Sequence, residues 1–194
     1  VQHHQITWST PSHTLLAIEP RTDEIVQHAA ALTVAYNDPH NAPLLGHTER
    51  LSEHDVIAHY HAVARARGHN FLVQRDRILV GDADLRHVAD RAAEFAFMVA
   101  AVSAQGQGLG TQIATMIHAF AFAQLGLERV YASIIPGNAA SRRVFDKLGY
   151  AIDTSPSGRA YADEPDDIVM SISRSTFERR HASLLNEIQI TLRP

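Results

Sequence analysis

The sequence predicts a mixed α/β fold, a single mixed sheet with helices on both faces. Three observations predict it. Short apolar runs alternate with stretches of helical period in the order β-α-α-β-β-β-α-β-α-β-β. A glycine-rich turn, Gln105 to Thr111 (Q-G-Q-G-L-G-T), joins a strand to a helix. The 194 residues are 45% hydrophobic and 20% charged, an ordinary globular balance with enough chain for a proper core. No repeat or linker interrupts the chain, so residues 1–194 are expected to form one domain.

Thr14 to Ile18 is a short apolar run stopped by Pro20, hence a strand. Thr22 or Asp23 is placed to cap a helix through Ile25, Ala29, Leu32 and Ala35. Asn37 to Gly46 holds Asn, Asp, two prolines and Gly and reads as a loop. Ser52 and Asp55 form an acidic capping box that opens a second helix, which ends near Gly68. Phe71 to Val73 and Ile78 to Leu85 read as a hairpin around Gln74 to Arg77. Phe95, Phe97 and Val99 alternate with smaller residues in the next strand, Glu94 to Ala101. Leu109, Ile113, Met116, Ile117, Phe120 and Leu125 recur at helical spacing, a stripe that belongs to core packing. Val130 to Ile135 is a strand, halted by Pro136 and Gly137, and Asn138 caps the helix after it. Tyr150 to Asp153 and Ile168 to Ile172 are the last strands, separated by a Ser-, Pro-, Gly- and Asp-rich loop. An extra helix is expected at 177–188.

The glycine-rich turn carries the chemistry. A turn that opens a helix aims several backbone N–H groups at one point, and the helix dipole adds positive charge there, so an anion is favoured. No Lys sits in the turn, which excludes a P-loop. A dinucleotide fingerprint needs a third glycine where Thr111 stands, and an acid that Val130 to Ile135 lacks. The pattern that fits is Q/R-x-x-G-x-G/A, filled by Gln105, Gly108 and Gly110. A second segment, Asn138 to Tyr150 (N-A-A-S-R-R-V-F-D-K-L-G-Y), matches N-x-x-[AS]-x-x-L-[YF]-[ED]-K-x-G-[FY] at nearly every position.

Together these segments resemble the GNAT superfamily of N-acetyltransferases, closest to the Rim-type branch that acetylates ribosomal-protein N-termini. The likeness spans roughly residues 93–152. It implies a mostly antiparallel sheet whose strands splay apart at the cofactor site. It also implies acetyl-CoA as cofactor. The pyrophosphate would lie on Gln105, Gly106, Gln107, Gly108, Leu109, Gly110 and Thr111. The pantetheine arm would lie along the strand near Val99 and Ala100, one of which offers an N–H to the thioester oxygen, and Asn138 would stand beside the arm. Direct attack of an amine in a ternary complex follows from the same resemblance, and the absence of cysteine agrees with it.

Glu94 is the expected base, because a carboxylate in an apolar strand has its pKa raised toward the working range. Asp82 and Asp84, on the neighbouring strand, stand in reserve. The position at which many relatives carry an acidic Tyr is Phe145, and Ser141 is the remaining hydroxyl for that role. The loops 37–51 and 154–167 are expected to shape the acceptor groove, the second bringing Asp163, Glu164, Asp166 and Asp167 toward a cationic amine. A primary amine on a small molecule or a protein N-terminus is the expected acceptor. The alternative is a non-catalytic acyl-CoA-binding module.

Net charge −4 argues against a general nucleic-acid binder. The 13 histidines, among them His47, His54, His59 and His61, have no metal-ligand spacing, so no metal is expected. No apolar run reaches membrane-span length and no signal-peptide hydrophobic region is present, which points to a cytoplasmic enzyme, monomeric or homodimeric.

Overall fold

The computed structural model describes residues 2–46 and 48–194; Val1 and His47 lie outside them. The elements in order are β1 (His4–Ser9), β2 (Thr14–Ile18), α1 (Thr22–Tyr36), α2 (Asn41–Leu44), α3 (Glu53–Arg65), β3 (His69–Arg75), β4 (Ile78–Ala89) and β5 (Ala92–Val99). A 3-10 turn at Val102–Ala104 leads into α4 (Leu109–Ala123). Then follow β6 (Arg129–Ile134), α5 (Ala139–Leu148), β7 (Ala151–Ile152), α6 (Pro156–Arg159), β8 (Ile168–Ser173), α7 (Arg174–Leu185) and β9 (Ile188–Leu192).

All the strands join one sheet in the order β7-β8-β6-β5-β4-β3-β2-β1-β9. Among the described residues, only the β5–β6 contact is parallel. The mixed, mostly antiparallel fold class is therefore the observed one. Each face has its own core. On one face α4 is buried nearly all round and packs Ile113, Met116, Ile117 and Phe120 against Phe71, Phe95 and Leu85. On the other, α1 and α3 bring Ile25, Leu32, Val56 and Tyr60 onto Ile18, Leu72 and Met98.

Several expectations are corrected. The N-cap of α1 is Arg21, whose backbone N–H donates to Glu24 Oε2 at 2.7 Å; Thr22 and Asp23 already lie inside the first turn. The Ser52–Asp55 box does cap α3, with Asp55 N–H donating to Ser52 Oγ at 3.2 Å and Ser52 N–H to Asp55 Oδ2 at 2.8 Å. The loop after α1 contains the short α2. The tail helix begins and ends earlier than expected, because Ser173 caps it and accepts from Thr176 N–H. Two strands were not foreseen: β1 pairs with β2, and β9 adds to β1 at the sheet edge.

Two tight hairpins bracket β4, one at each of its ends. Asp76–Arg77 and Asp90–Arg91 each connect paired strands, and all four residues have positive φ, between 50° and 70°. Positive φ at both central residues is the turn whose twist suits a two-residue hairpin. His87 also has positive φ (53°) where the β4–β5 register shifts, and this bulge swings its ring toward β5.

Candidate active site

β5 and β6 pair only through Ala92–Arg129, Ala93–Val130 and Glu94–Tyr131. Beyond that point the two strands part, β5 continuing to Val99 and β6 to Ile134. A cavity of about 700 Å³ opens into the gap, lined by Phe97, Met98 and Val99 on one side and by Ile134, Ile135 and Asn138 on the other.

The glycine turn lies at its mouth. Gly106 and Gly108 have φ of 75° and 85°, which an L side chain adopts only at a cost. A Cβ added at either would meet nothing within 4 Å, so both backbones face open space at the N-terminus of α4. That is the cradle a phosphate needs. Gly110 differs, since a Cβ there would come within 3.0 Å of the Phe97 ring; its role is to let α4 approach β5. Leu109 is a core side chain, leaving only its backbone for a ligand. Gln107 turns its amide back to Ser103 O at 2.8 Å. Gln105 is a brace, donating to Asn41 Oδ1 at 2.8 Å and to Val99 O at 3.1 Å. Asn41 is buried and donates in turn to Ala35 O and Ala100 O, which ties α2 to the turn. Thr111 joins the lining from the first turn of α4.

Val99 and Ala100 are not equivalent. The Ala100 N–H already donates to Val80 O at 2.8 Å, which removes it as the donor to a thioester oxygen. Antiparallel strands alternate the edge their groups face, so the Val99 N–H points to the splay. Asn138 caps α5, accepting from Ser141 N–H at 2.9 Å, while its Nδ2 donates to Leu44 O at 3.0 Å. It thus closes the gap between α5 and α2 and lines the cavity. Ser141 lines it from the first turn of α5. Phe145 is buried, its ring edge-on to Phe95, Phe97 and Tyr150, so it forms an apolar wall. Arg143 and Lys147, one turn apart on α5, also reach the cavity. Their spacing in the sequence signals a shared helix face, but not that this face meets the glycine turn.

The opposite face of the cavity is acidic. Glu94 is 1% exposed and lies outside the lining. Its Oε1 accepts from Arg86 Nη2 at 2.6 Å, and its Oε2 lies 2.9 Å from His87 Nδ1. Burial pushes its carboxyl above the usual range and Arg86 pulls the other way. Arg86 also reaches Asp163 Oδ2 at 2.6 Å, binding the 154–167 loop to the sheet. Asp82 and Asp84 do line the cavity. Asp82 accepts from Tyr36 and Tyr60 hydroxyls, at 2.7 and 2.9 Å on the same oxygen. Burial raises its carboxyl to about 6 against those two donors. Asp84 has Oδ2 3.0 Å from His59 Nε2, a contact the sequence did not announce. Asp163, Glu164 and Asp167 complete this side, with Ser133 donating to Asp167 Oδ2 at 2.7 Å and accepting from Asp163 N–H at 3.0 Å. Asp166, expected with them, is exposed and outside the lining.

A family model described as the acetyltransferase (GNAT) domain matches residues 16–151. Solved structures share the fold. Mycobacterium smegmatis RimJ in complex with CoA-disulfide is 20% identical, with a TM-score of 0.72, over 95% of this chain and 96% of that one. Aminoglycoside acetyltransferase AAC(6')-Ib in complex with coenzyme A is 18% identical, with a TM-score of 0.70, over 85% and 98%. An uncharacterised protein from Bacillus halodurans is 13% identical, with a TM-score of 0.72, over 90% and 91%. No curated protein sequence matches the chain.

Proposed function

Because the chain belongs to the GNAT acetyltransferase family, we propose that it moves an acetyl group from acetyl-CoA to a primary amine, by direct attack with both substrates bound. The observation that carries this reading is the two-ended cavity. One end offers the unblocked backbones of Gly106 and Gly108 at a helix N-terminus, with Arg143 and Lys147 nearby, and suits the phosphates. The other end offers Asp82, Asp84, Asp163, Glu164 and Asp167, and suits an ammonium group. The splay joins the two.

When bound, acetyl-CoA would supply the thioester to be attacked. The Val99 N–H, which faces the splay, would be the preformed donor to its carbonyl oxygen. Asn138 holds the α5 side of the gap in place. Ser141 is the hydroxyl on that wall and the candidate proton donor to the departing sulfur, since Phe145 has no proton to give. Glu94 anchors Arg86, and through it the acidic loop, and takes no part in proton transfer. A small-molecule amine or a protein N-terminus enters along the acidic face, in a cytoplasmic setting. No helix among the described residues is long and apolar enough to cross a membrane.

Calorimetry with acetyl-CoA, followed by mass spectrometry of a primary-amine panel, tests the reading. Binding with transfer to a cationic amine is expected. Binding without transfer to any amine would make the chain an acyl-CoA-binding module, and failure to bind would remove the site.

A further inference from the structure

His59 belongs to no motif, and α3 sets its position. Val56, Tyr60 and Val63 turn inward from α3, and His59 stands beside Tyr60 at the rim of the cavity, its ring edge-on to the Tyr60 ring at 6.2 Å. Its side chain is 40% exposed, whereas that of Asp84 is 11% exposed. The 3.0 Å contact between Nε2 and Asp84 Oδ2 fixes the ring: Nε2 carries the proton and donates it, which leaves the lone pair on Nδ1. Nδ1 makes no hydrogen bond to a described residue. Asp84 also has an unpaired atom. Its Oδ1 is buried and has no partner among the described residues, a costly arrangement for a carboxylate unless another donor completes it.

The register places this pair against the gap. Asp84 stands opposite Ala96, and Asp82 opposite Met98, on the β5 segment that has left β6. Paired residues share a face, so Asp84 lies one strand spacing, about 5 Å, from that edge, and His59 reaches it from α3 through the 3.0 Å contact. The Ala96 methyl leaves the floor between them open.

We propose that His59, oriented by Asp84, is the proton acceptor for the attacking amine. This rests on the acetyl-transfer reading. His59 Nδ1 takes one proton from the docked ammonium, and the freed nitrogen lone pair attacks the thioester carbonyl carbon, the second N–H proton passing to the departing sulfur. The C–N bond forms, the C–S bond breaks, and sulfur leaves with the electron pair. The half-exposed ring then releases its proton to water. Asp84 stabilises the imidazolium formed midway, and its free oxygen accepts an N–H of the docked amine.

The charges around the ring set the pH range. Asp55 on α3 lines the same cavity, β4 contributes Asp82, Asp84 and Arg86, and Tyr36 and Tyr60 lie alongside. The hydrogen bond to Asp84 is the strongest influence and holds the imidazole above its ordinary value, with burial and Arg86 opposing. Activity should therefore rise with pH along a limb that belongs to His59.

The test is a pH–rate profile of kcat and KM for the wild type, His59→Gln and Asp84→Asn, on the best primary amine found. His59→Gln should lower kcat by about 10²-fold at pH 7, the contribution of a positioned base. The loss should shrink toward pH 9, as the free amine deprotonates unaided, and acetyl-CoA affinity should hold. Asp84→Asn preserves the shape of the site and should lower kcat while moving the limb to lower pH. Added imidazole should restore part of the rate to His59→Gly. Superimposable profiles for wild type and His59→Gln would overturn the proposal, as would a change confined to KM. A wild type that binds acetyl-CoA but acetylates no amine would instead overturn the acetyl-transfer reading, and the dyad with it.

Discussion

Asp82 is held by two tyrosine hydroxyls on one oxygen, yet burial still keeps its carboxyl near 6 rather than 3.8. The sign of the consequence follows from linkage. The folded value lies above the unfolded one, so the stabilising contribution is complete below about pH 4 and disappears as pH rises through 6. At 1.36 kcal/mol per unit, the swing is roughly 3 kcal/mol. Asp82→Asn keeps an acceptor for both hydroxyls and never ionises. Its melting temperature relative to wild type should climb between pH 4 and pH 7.5; a constant difference would mean that the carboxyl stays ionised across the range. The neighbouring acids show what a sequence conveys about a residue. Glu94 in an apolar strand announces its own burial. Its pairing with Arg86 and His87 depends on the β4–β5 register and on the bulge at His87, and neither is written in local pattern. For the same reason the reserve candidates, Asp82 and Asp84, turn out to face the cavity and the favoured one does not. His59 was hidden for a similar cause, because its partner lies 25 residues away on another element.

At the scale of elements, the legible parts were those with local chemistry: the Ser52 box, the Asn138 cap, the period of α4 and the glycine turn before it. The strands β1 and β9 alternate cleanly, but Gln, Thr and Ser fill their outward positions and no aliphatic run marks them. The β1–β9 pairing, moreover, joins opposite ends of the chain. The turn lends itself to a direct test. Gly108 has positive φ and nothing beyond its Cα, so Asn, which tolerates that conformation, and Asp should cost similar stability, about 1 kcal/mol. Only Asp adds a charge where the phosphates are proposed to lie. Thermal shift should show Gly108→Asp losing more of the stabilisation by coenzyme A than Gly108→Asn. Equal stabilisation of wild type and Gly108→Asp would move the pyrophosphate elsewhere.

Over the whole molecule, the sheet is less continuous than its strand order suggests. Three register pairs at Ala92–Glu94 clasp β7-β8-β6 to the remaining strands. Mechanically these are two plates joined at one corner, with a tapering slot between them. The β5 amides beyond the clasp fall into two sets. Those of Met98 and Ala100 turn to β4, while those of Phe97 and Val99 turn to the slot. Hydrogen exchange in the free protein should find Phe97 and Val99 faster than their neighbours, although they sit mid-sheet, and acetyl-CoA should slow them. Unchanged rates would mean that no strand-like partner enters the slot. If the rates fall, the cofactor is also a structural member: its arm replaces the missing rungs and stiffens a corner hinge into one continuous plate.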